Sequence, residues 1–457
     1  MSTLATVAEA IADLTYDDLS EELRDAARKR ILDNTGATAV GLATPEGRSL
    51  QRLTESIGSG SKPGIADLIR LYVAATRCTE IDDINIASCA TVGSVIVPLA
   101  SAAADEYSYD DRSVITAVVA GYQAMVRLGT AIDGANILYK GIWPTYAAAP
   151  FAAAAVGAKL LDLSAEETAN ALALGLSRTV FMQGRNANGL SPRWYVLGCA
   201  AADGFAAAHA AAAGIGGDPD ILAAFARGMG GPVDEDVLLQ DFGAFRGVLE
   251  IDTKTFPTSR QGMSSIQAFR KHLPLPHPVD EIEAVRVFVP GQYRNMVDRA
   301  GLPRDRMDSL VGVGYQMALS ALHPERFSDA LRNDLLHDAA VEAFVSRVSV
   351  TEDPELTAAF PKQWSGRVEI EWKTAAPTVV EVKEPEGAAT NPMSWQALED
   401  KLARILVASG LGDGGAASSL AQTCKQLGVD QGGHLACGIL NQAAAVAATQ
   451  DIAAGTS

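Results

Sequence analysis

Residues 153–177 read AAAVGAKLLDLSAEETANALALGLS, and this stretch decides the class of fold. Its apolar residues recur at helical spacing, and Ala, Gly and Leu dominate it. Ser164 is followed three residues on by Glu167, the capping box that opens a helix. On either side, segments 112–130, 146–161, 164–176 and 197–213 have helical length within a region rich in small residues. Small side chains let helix axes approach closely, so this region is expected to form the packed centre of a helical bundle.

Working outward, residues 4–43 predict two helices, with Asp17 and Asp18 as cap candidates, and 64–77 predicts another. Pro45, Glu46 and Gly47 between them read as a loop. The character changes after the Pro-rich HLPLPHP, 272–278. EIEAVRVFVP (281–290), RVSVTED (347–353) and GRVEIEWKTAAPTVVEVKEP (366–385) alternate as half-buried strands do, the last as a hairpin. Residues 306–347 between them read as helical. SWQALEDKLARILVASG, 394–410, returns to helix, and the Ala-rich tail 443–457 is expected to fray.

A chain of 457 residues has room for two or three domains, or for one large helical domain with an insertion. Its net charge of −18 argues against nucleic acid. The same field opposes small anionic substrates, so such a substrate needs a local cluster of Arg and Lys. The five cysteines are odd in number and lack CxxC spacing, which fits reduced thiols in the cytoplasm better than disulfides, zinc or an iron–sulfur cluster. The first residues carry acids and no basic segment, unlike a signal peptide. The apolar tract 146–161 is interrupted by Pro150, Gly157 and Lys159, and so reads as a buried helix and not a membrane span. No GxxxxGK[ST], GxSxG or HExxH motif is present.

TVAEAIADLTYDDLSEELRDAARKRILDNTGATAVGL (6–42), GYQAMVRLGTAI (121–132), the stretch at 153–177, LGCAAADGFAAAHAAAAGIGG (197–217) and NPMSWQALEDKL (391–402) together resemble the MmgE/PrpD family, which includes 2-methylcitrate dehydratase and cis-aconitate decarboxylase. The resemblance implies a mainly α fold: a large discontinuous helical domain, 1–265 and 393–457, around a smaller α+β lid domain, 266–392. It also implies a homodimer, an active site between the domains, and no cofactor. The motif histidines are replaced. In TEIDDINIASCATVG (79–93), Thr91 and Val92 stand where His and Pro are usual; Glu80, Asp82, Asp83 and Gly93 remain. Trp143 replaces a His in GIWPT, Val196 replaces one in SPRWYVLG, and Met263 replaces one in KTFPTSRQGMSS. Arg193 aligns with the family's Lys, and LVGVGY keeps only Tyr315 of its segment.

Without a histidine, proton transfer falls to other groups. Lys254 in its retained motif is the foremost candidate, since a lysine in a dry cleft can exchange a proton with carbon. Tyr146 offers a phenol, and Asp82 is a carboxylate beside Asp83. Arg193 and Arg260 could grip a carboxylate bidentately, with Trp143, Asp83 and Tyr315 completing the binding surface. Against these stand plainer roles: helix caps or Arg partners for the two aspartates, core packing for Trp143 and Tyr146, ion pairs with the acidic segment for the arginines, and solvation for Arg185 in QGRNANG. The functional expectation is a lyase acting at a carbon next to a carboxylate of a small acid other than 2-methylcitrate. An epimerase on the same fold is the alternative, and a non-catalytic or diverged biosynthetic pocket protein a second.

Overall fold

The side chains of Ser2, Ser20, Asp110 and Ser164 each accept a backbone N–H from two or three residues on, and each starts a helix. The computed structural model describes residues 2–58, 62–181, 191–299 and 301–454. The first helices are α1 (Thr3–Asp13), α2 (Glu21–Ala43), α3 (Pro45–Gly58), α4 (Ile65–Arg77), α5 (Gly93–Tyr107) and α6 (Asp111–Ala131). The short α7 (Gly134–Ile137) leads to α8 (Pro144–Leu160), α9 (Ala165–Leu176), α10 (Pro192–Ala212), α11 (Ile221–Met229), α12 (Glu235–Leu239) and α13 (Arg260–Arg270). The α+β part holds β1 (Ile282–Val289), α14 (Arg294–Val297), α15 (Arg306–Val311), α16 (Val313–Leu322), α17 (Ala339–Val345), β2 (Val348–Glu352), α18 (Pro354–Ala359), β3 (Gly366–Trp372) and β4 (Thr378–Val382). The chain ends in α19 (Trp395–Ala408), α20 (Gly415–Gln426) and α21 (Ile439–Ala454).

The fold is mainly α, with one small mixed sheet. Two cores divide it. The larger runs from Leu4 to Ile251 and resumes from Met393, so the last helices return to pack on α2. Each fully buried aliphatic chain in it, such as Leu172, contributes about 1.5–3 kcal/mol. Close approach depends on glycine at the centre: a Cβ on Gly204 or Gly175 would lie 2.3 or 2.7 Å from the carbonyl oxygen of Pro150 in α8. The second core gathers Phe256, Met263 and Phe269 under the sheet, so α13 packs with the lid, ahead of the Pro-rich break.

The sheet order is β2-β1-β3-β4. β1 runs parallel to β2 and antiparallel to β3, and β3–β4 is the hairpin expected from the alternation. Val368, Ile370 and Trp372 are buried on one face of β3, where α13 packs against the strand.

Two local expectations are corrected. Pro45 begins α3 and is not in a loop, because a proline in the first helical turn has no amide hydrogen to leave unbonded. The tail is helical to Ala454, held by Ile439, Leu440 and Ala443 packed in the larger core. α6 is long and apolar enough to cross a membrane, but its window is 89% buried, as in a central core helix.

Candidate active site

The acidic segment between α4 and α5 is the hub. Its backbone exchanges two hydrogen bonds with the chain before Lys254: Ile84 N–H donates to the Asp252 carbonyl at 2.9 Å, and Asp252 N–H to the Ile84 carbonyl at 2.8 Å. Thr258 N–H donates to the Glu80 carbonyl at 3.0 Å. These contacts bring the two motifs together across more than a third of the sequence. Glu80 and Cys89 hold left-handed backbone at φ 55° and 50°, a costly conformation for residues with a side chain.

Lys254 is 1% exposed and lies between two carboxylates. Its Nζ donates to Glu80 Oε2 at 2.8 Å and to Asp82 Oδ1 at 3.1 Å. Arg77, at the end of α4, completes the network, with Nη1 2.7 Å from Glu80 Oε1 and 3.5 Å from Asp82 Oδ1. Burial would raise the Glu80 pKa, but Arg77 and Lys254 outweigh it and hold that carboxyl at about 2. For Asp82, burial wins, and its pKa is raised despite the same two cations. Among the described residues, Asp82 Oδ2 has no hydrogen-bond partner, nor has Arg77 Nε or Trp194 Nε1. Two cations thus face two carboxylates, one firmly ionised and one inclined to hold a proton.

The next motif adjoins through Arg77. Its guanidinium lies over the Trp194 ring at 5.2 Å, and it acts electrostatically on Tyr146. Pro144 begins α8, which places Trp143 at its cap and Tyr146 in its first turn. The Tyr146 hydroxyl donates to the Arg193 carbonyl at 2.8 Å. Burial pushes the Tyr146 pKa well up, so it stays a neutral donor. The Arg193 guanidinium stacks on Trp143 at 4.4 Å, with no carboxylate in ion-pair distance among the described residues. Burial lowers its pKa, though it remains a cation. Thr91 and Thr145, from two of the motifs that lack their histidines, meet with hydroxyls 3.2 Å apart.

The other candidates lie in other surroundings. Asp83 accepts hydrogen bonds from Tyr122 at 2.5 Å, Gly93 N–H at 2.7 Å and Asn34 at 3.1 Å, which anchors α5 to α2 and α6. Arg260 Nε donates to Asp252 Oδ2 at 2.6 Å, and its guanidinium stands over Trp364 at 5.8 Å. Tyr315 is buried in the lid core with an unpartnered hydroxyl, its pKa raised to about 12 by burial. Arg193, Lys254 and Arg260 therefore each have a different set of partners. Arg185 falls outside the described residues.

Sequence reasoning missed Arg77, Asp252 and Lys401. Lys401 donates to Asp33 Oδ1 at 2.5 Å and to the Ile81 carbonyl at 2.9 Å, bracing the acidic loop from the final helices. The nearest available signal was a charge three residues before Glu80, one helical turn away. Among the described residues, no three His, Cys, Asp or Glu side chains are grouped to hold a metal ion.

Cis-aconitate decarboxylase of Aspergillus terreus (strain NIH 2624 / FGSC A1156) is 26% identical over 205 residues, 41% of this chain and 41% of its own. The cis-aconitate decarboxylase-like protein oryM of Aspergillus oryzae (strain ATCC 42149 / RIB 40) is 26% identical over 187 residues, 37% of this chain and 38% of its own. The chain thus spans about two fifths of the length of the curated relatives it matches. Residues 5–233 match the MmgE/PrpD N-terminal domain and residues 256–421 the MmgE/PrpD C-terminal domain. With both halves matched, in order and over most of its length, the chain belongs to the MmgE/PrpD family.

Proposed function

We propose that the chain is a lyase that moves a proton at the carbon next to a carboxylate of a small organic acid, releasing water or carbon dioxide. The observation that carries this reading is the position of Lys254, buried between Glu80 and Asp82 with Arg77 opposite and Tyr146 adjoining. Ground-state charge is balanced there, so a developing enolate adds the one charge that the two cations and the phenol can stabilise. Arg193 takes a substrate carboxylate in place of the Trp143 face. In an elimination, a carboxylate such as Asp82 accepts the proton from carbon, and the Lys254 ammonium protonates the departing hydroxyl as water. In a decarboxylation, the C–C bond breaks, carbon dioxide leaves, and the same ammonium protonates the carbanion. After an elimination the proton on Asp82 passes back to Lys254; after a decarboxylation Lys254 takes a proton from solvent.

The reading needs no bound cofactor and takes the molecule to be a cytoplasmic homodimer, in keeping with its five free cysteines. cis-Aconitate, the acid named in the relatives, is the first substrate to try. The chain is incubated with it and with other di- and tricarboxylates in deuterated water, followed by NMR and mass spectrometry. Product that has lost water, or that has lost carbon dioxide and gained deuterium at the carbon left behind, supports the lyase. Exchange at carbon with every fragment retained would replace it with an epimerase, and binding with neither would leave only a pocket.

A further inference from the structure

A cleft of about 610 Å³ lies where α13, α19 and the chain around Glu384 meet. Its floor includes Thr255 and Phe256, the residues that directly follow Lys254. Three cations line it: Arg270 and Lys271 at the end of α13, and Arg404 on α19. Among the described residues, none of the three comes within ion-pair distance of a carboxylate. The chain carries 55 acidic residues against 37 basic ones, so cations here have no shortage of partners. Arg270 instead lies over the Phe327 ring at 4.1 Å, and its guanidinium donates to the Ser320 hydroxyl at 3.5 Å. Burial, and then the nearby Arg404, both disfavour its charge. The two guanidiniums share this open cleft with Glu384, Glu386 and Asp400, yet neither lies within ion-pair distance of a carboxylate among the described residues, which leaves both able to take an anionic group.

The acids on the same walls refine the ligand. The Glu384 carboxylate accepts a hydrogen bond from the Thr390 hydroxyl, and Asp400 accepts one from Gln396 at 2.9 Å. Neither neutralises an arginine. A ligand lodged there presents an anion to Arg270 and Arg404, and hydrogen-bond donors to the acids.

We propose that this cleft binds a small hydroxylated anion, with a carboxylate or phosphate group held between Arg270 and Arg404. It is a site apart from the network around Lys254 and does not depend on the reaction assigned to that network. The volume suits a molecule of a few carbons carrying one or two such groups.

The test is isothermal titration calorimetry on the full chain with citrate, glycerol 3-phosphate, tricarballylate and inorganic phosphate. An Arg193→Met background removes the contribution of the other site. We expect saturable binding of citrate or glycerol 3-phosphate, with tricarballylate, which lacks the hydroxyl, or phosphate, which lacks the carbon chain, several-fold weaker. The relative strength of citrate and glycerol 3-phosphate tells carboxylate from phosphate. An Arg270→Gln/Arg404→Gln variant should weaken binding at least tenfold. Arg404→Gln alone changes an exposed side chain, so it keeps the fold, and it should cost several-fold. The proposal is overturned if no probe saturates, if the double variant binds as tightly as its parent, or if Arg404→Gln leaves affinity unchanged.

Discussion

Lys254 and Arg193 flank the same acidic loop, yet their charges are spent differently. Lys254 is held by two buried carboxylates. Arg193 leans on an indole face. Breaking a buried ion pair costs about 3–5 kcal/mol, whereas leaving an aromatic face costs about 0.5–2 kcal/mol. A substrate carboxylate can therefore draw Arg193 away from Trp143 but cannot draw Lys254 away from Glu80 and Asp82. Under the proposed function, recognition falls to the stacked cation and proton handling to the paired one.

The hardest blow to that division is Lys254→Met. Glu80 and Asp82 would then face Arg77 alone, and we expect a loss of about 3–5 kcal/mol in chemical denaturation together with a fall in turnover of about 10²–10⁴-fold. Pairing it with Glu80→Gln removes the orphaned charge. Stability should return in large part while turnover stays low. A double variant that turns over normally would show that the lysine only fills space.

Acid sharpens the same contrast. The folded pKa of Glu80, about 2, lies below its ordinary 4.5, so folding favours the ionised form. That stabilisation is complete above pH 4.5 and is lost as pH falls toward 2. At 1.36 kcal/mol per pH unit it amounts to about 3 kcal/mol. Asp82, whose pKa burial raises, runs the opposite way and offsets part of it. Denaturation curves of the wild type and Glu80→Gln, taken between pH 5 and 2.5, should converge as pH drops, since only the wild type has this contribution to lose. Parallel curves would mean that Glu80 is not held ionised.

Arg193→Met comes next. Among the described residues its cation has no carboxylate to orphan, so stability should hold within about 1 kcal/mol. Losing a charged hydrogen bond to substrate, about 1.5–3 kcal/mol, should raise KM by about 10–100-fold with kcat little altered. Arg193→Lys should recover part of the loss. A fall in kcat at unchanged KM would move Arg193 out of recognition and into the chemistry.

These assignments also show where sequence reading stops. The helical centre was legible because its signals are local: the Ser164–Glu167 box and the small residues of α8 to α10 act within a few positions. The strands were legible through alternation. Lys254 and Asp82 were named, but their pairing across 172 positions leaves no local trace. Arg77 was passed over because a single arginine closing an amphipathic helix looks like a surface residue; only the fold shows it 5% exposed. Arg260 read as a cation that could grip a carboxylate beside Arg193, or pair with the acidic segment, and the structure pairs it with Asp252. Pro45 read as a break because proline stops helices more often than a lone sequence can show it starting one.

The finest test is at Trp143, which stands where the family has a histidine. It is half-buried and touches both Arg193 and Tyr146, the latter edge-on at 6.1 Å. If its role is to hold the guanidinium in a ready position, Trp143→Leu should release about 0.5–2 kcal/mol of stacking. That raises KM a few-fold through a less ordered Arg193 while leaving Tyr146 in α8. Trp143→Phe, which keeps a weaker aromatic face, should fall between the two. The order Trp, Phe, Leu in KM is the signature of a cation resting on a ring. A KM that instead falls as the side chain shrinks would mean that Trp143 fills space the substrate wants, and the contrast between a stacked and a paired cation would then rest on Lys254 alone.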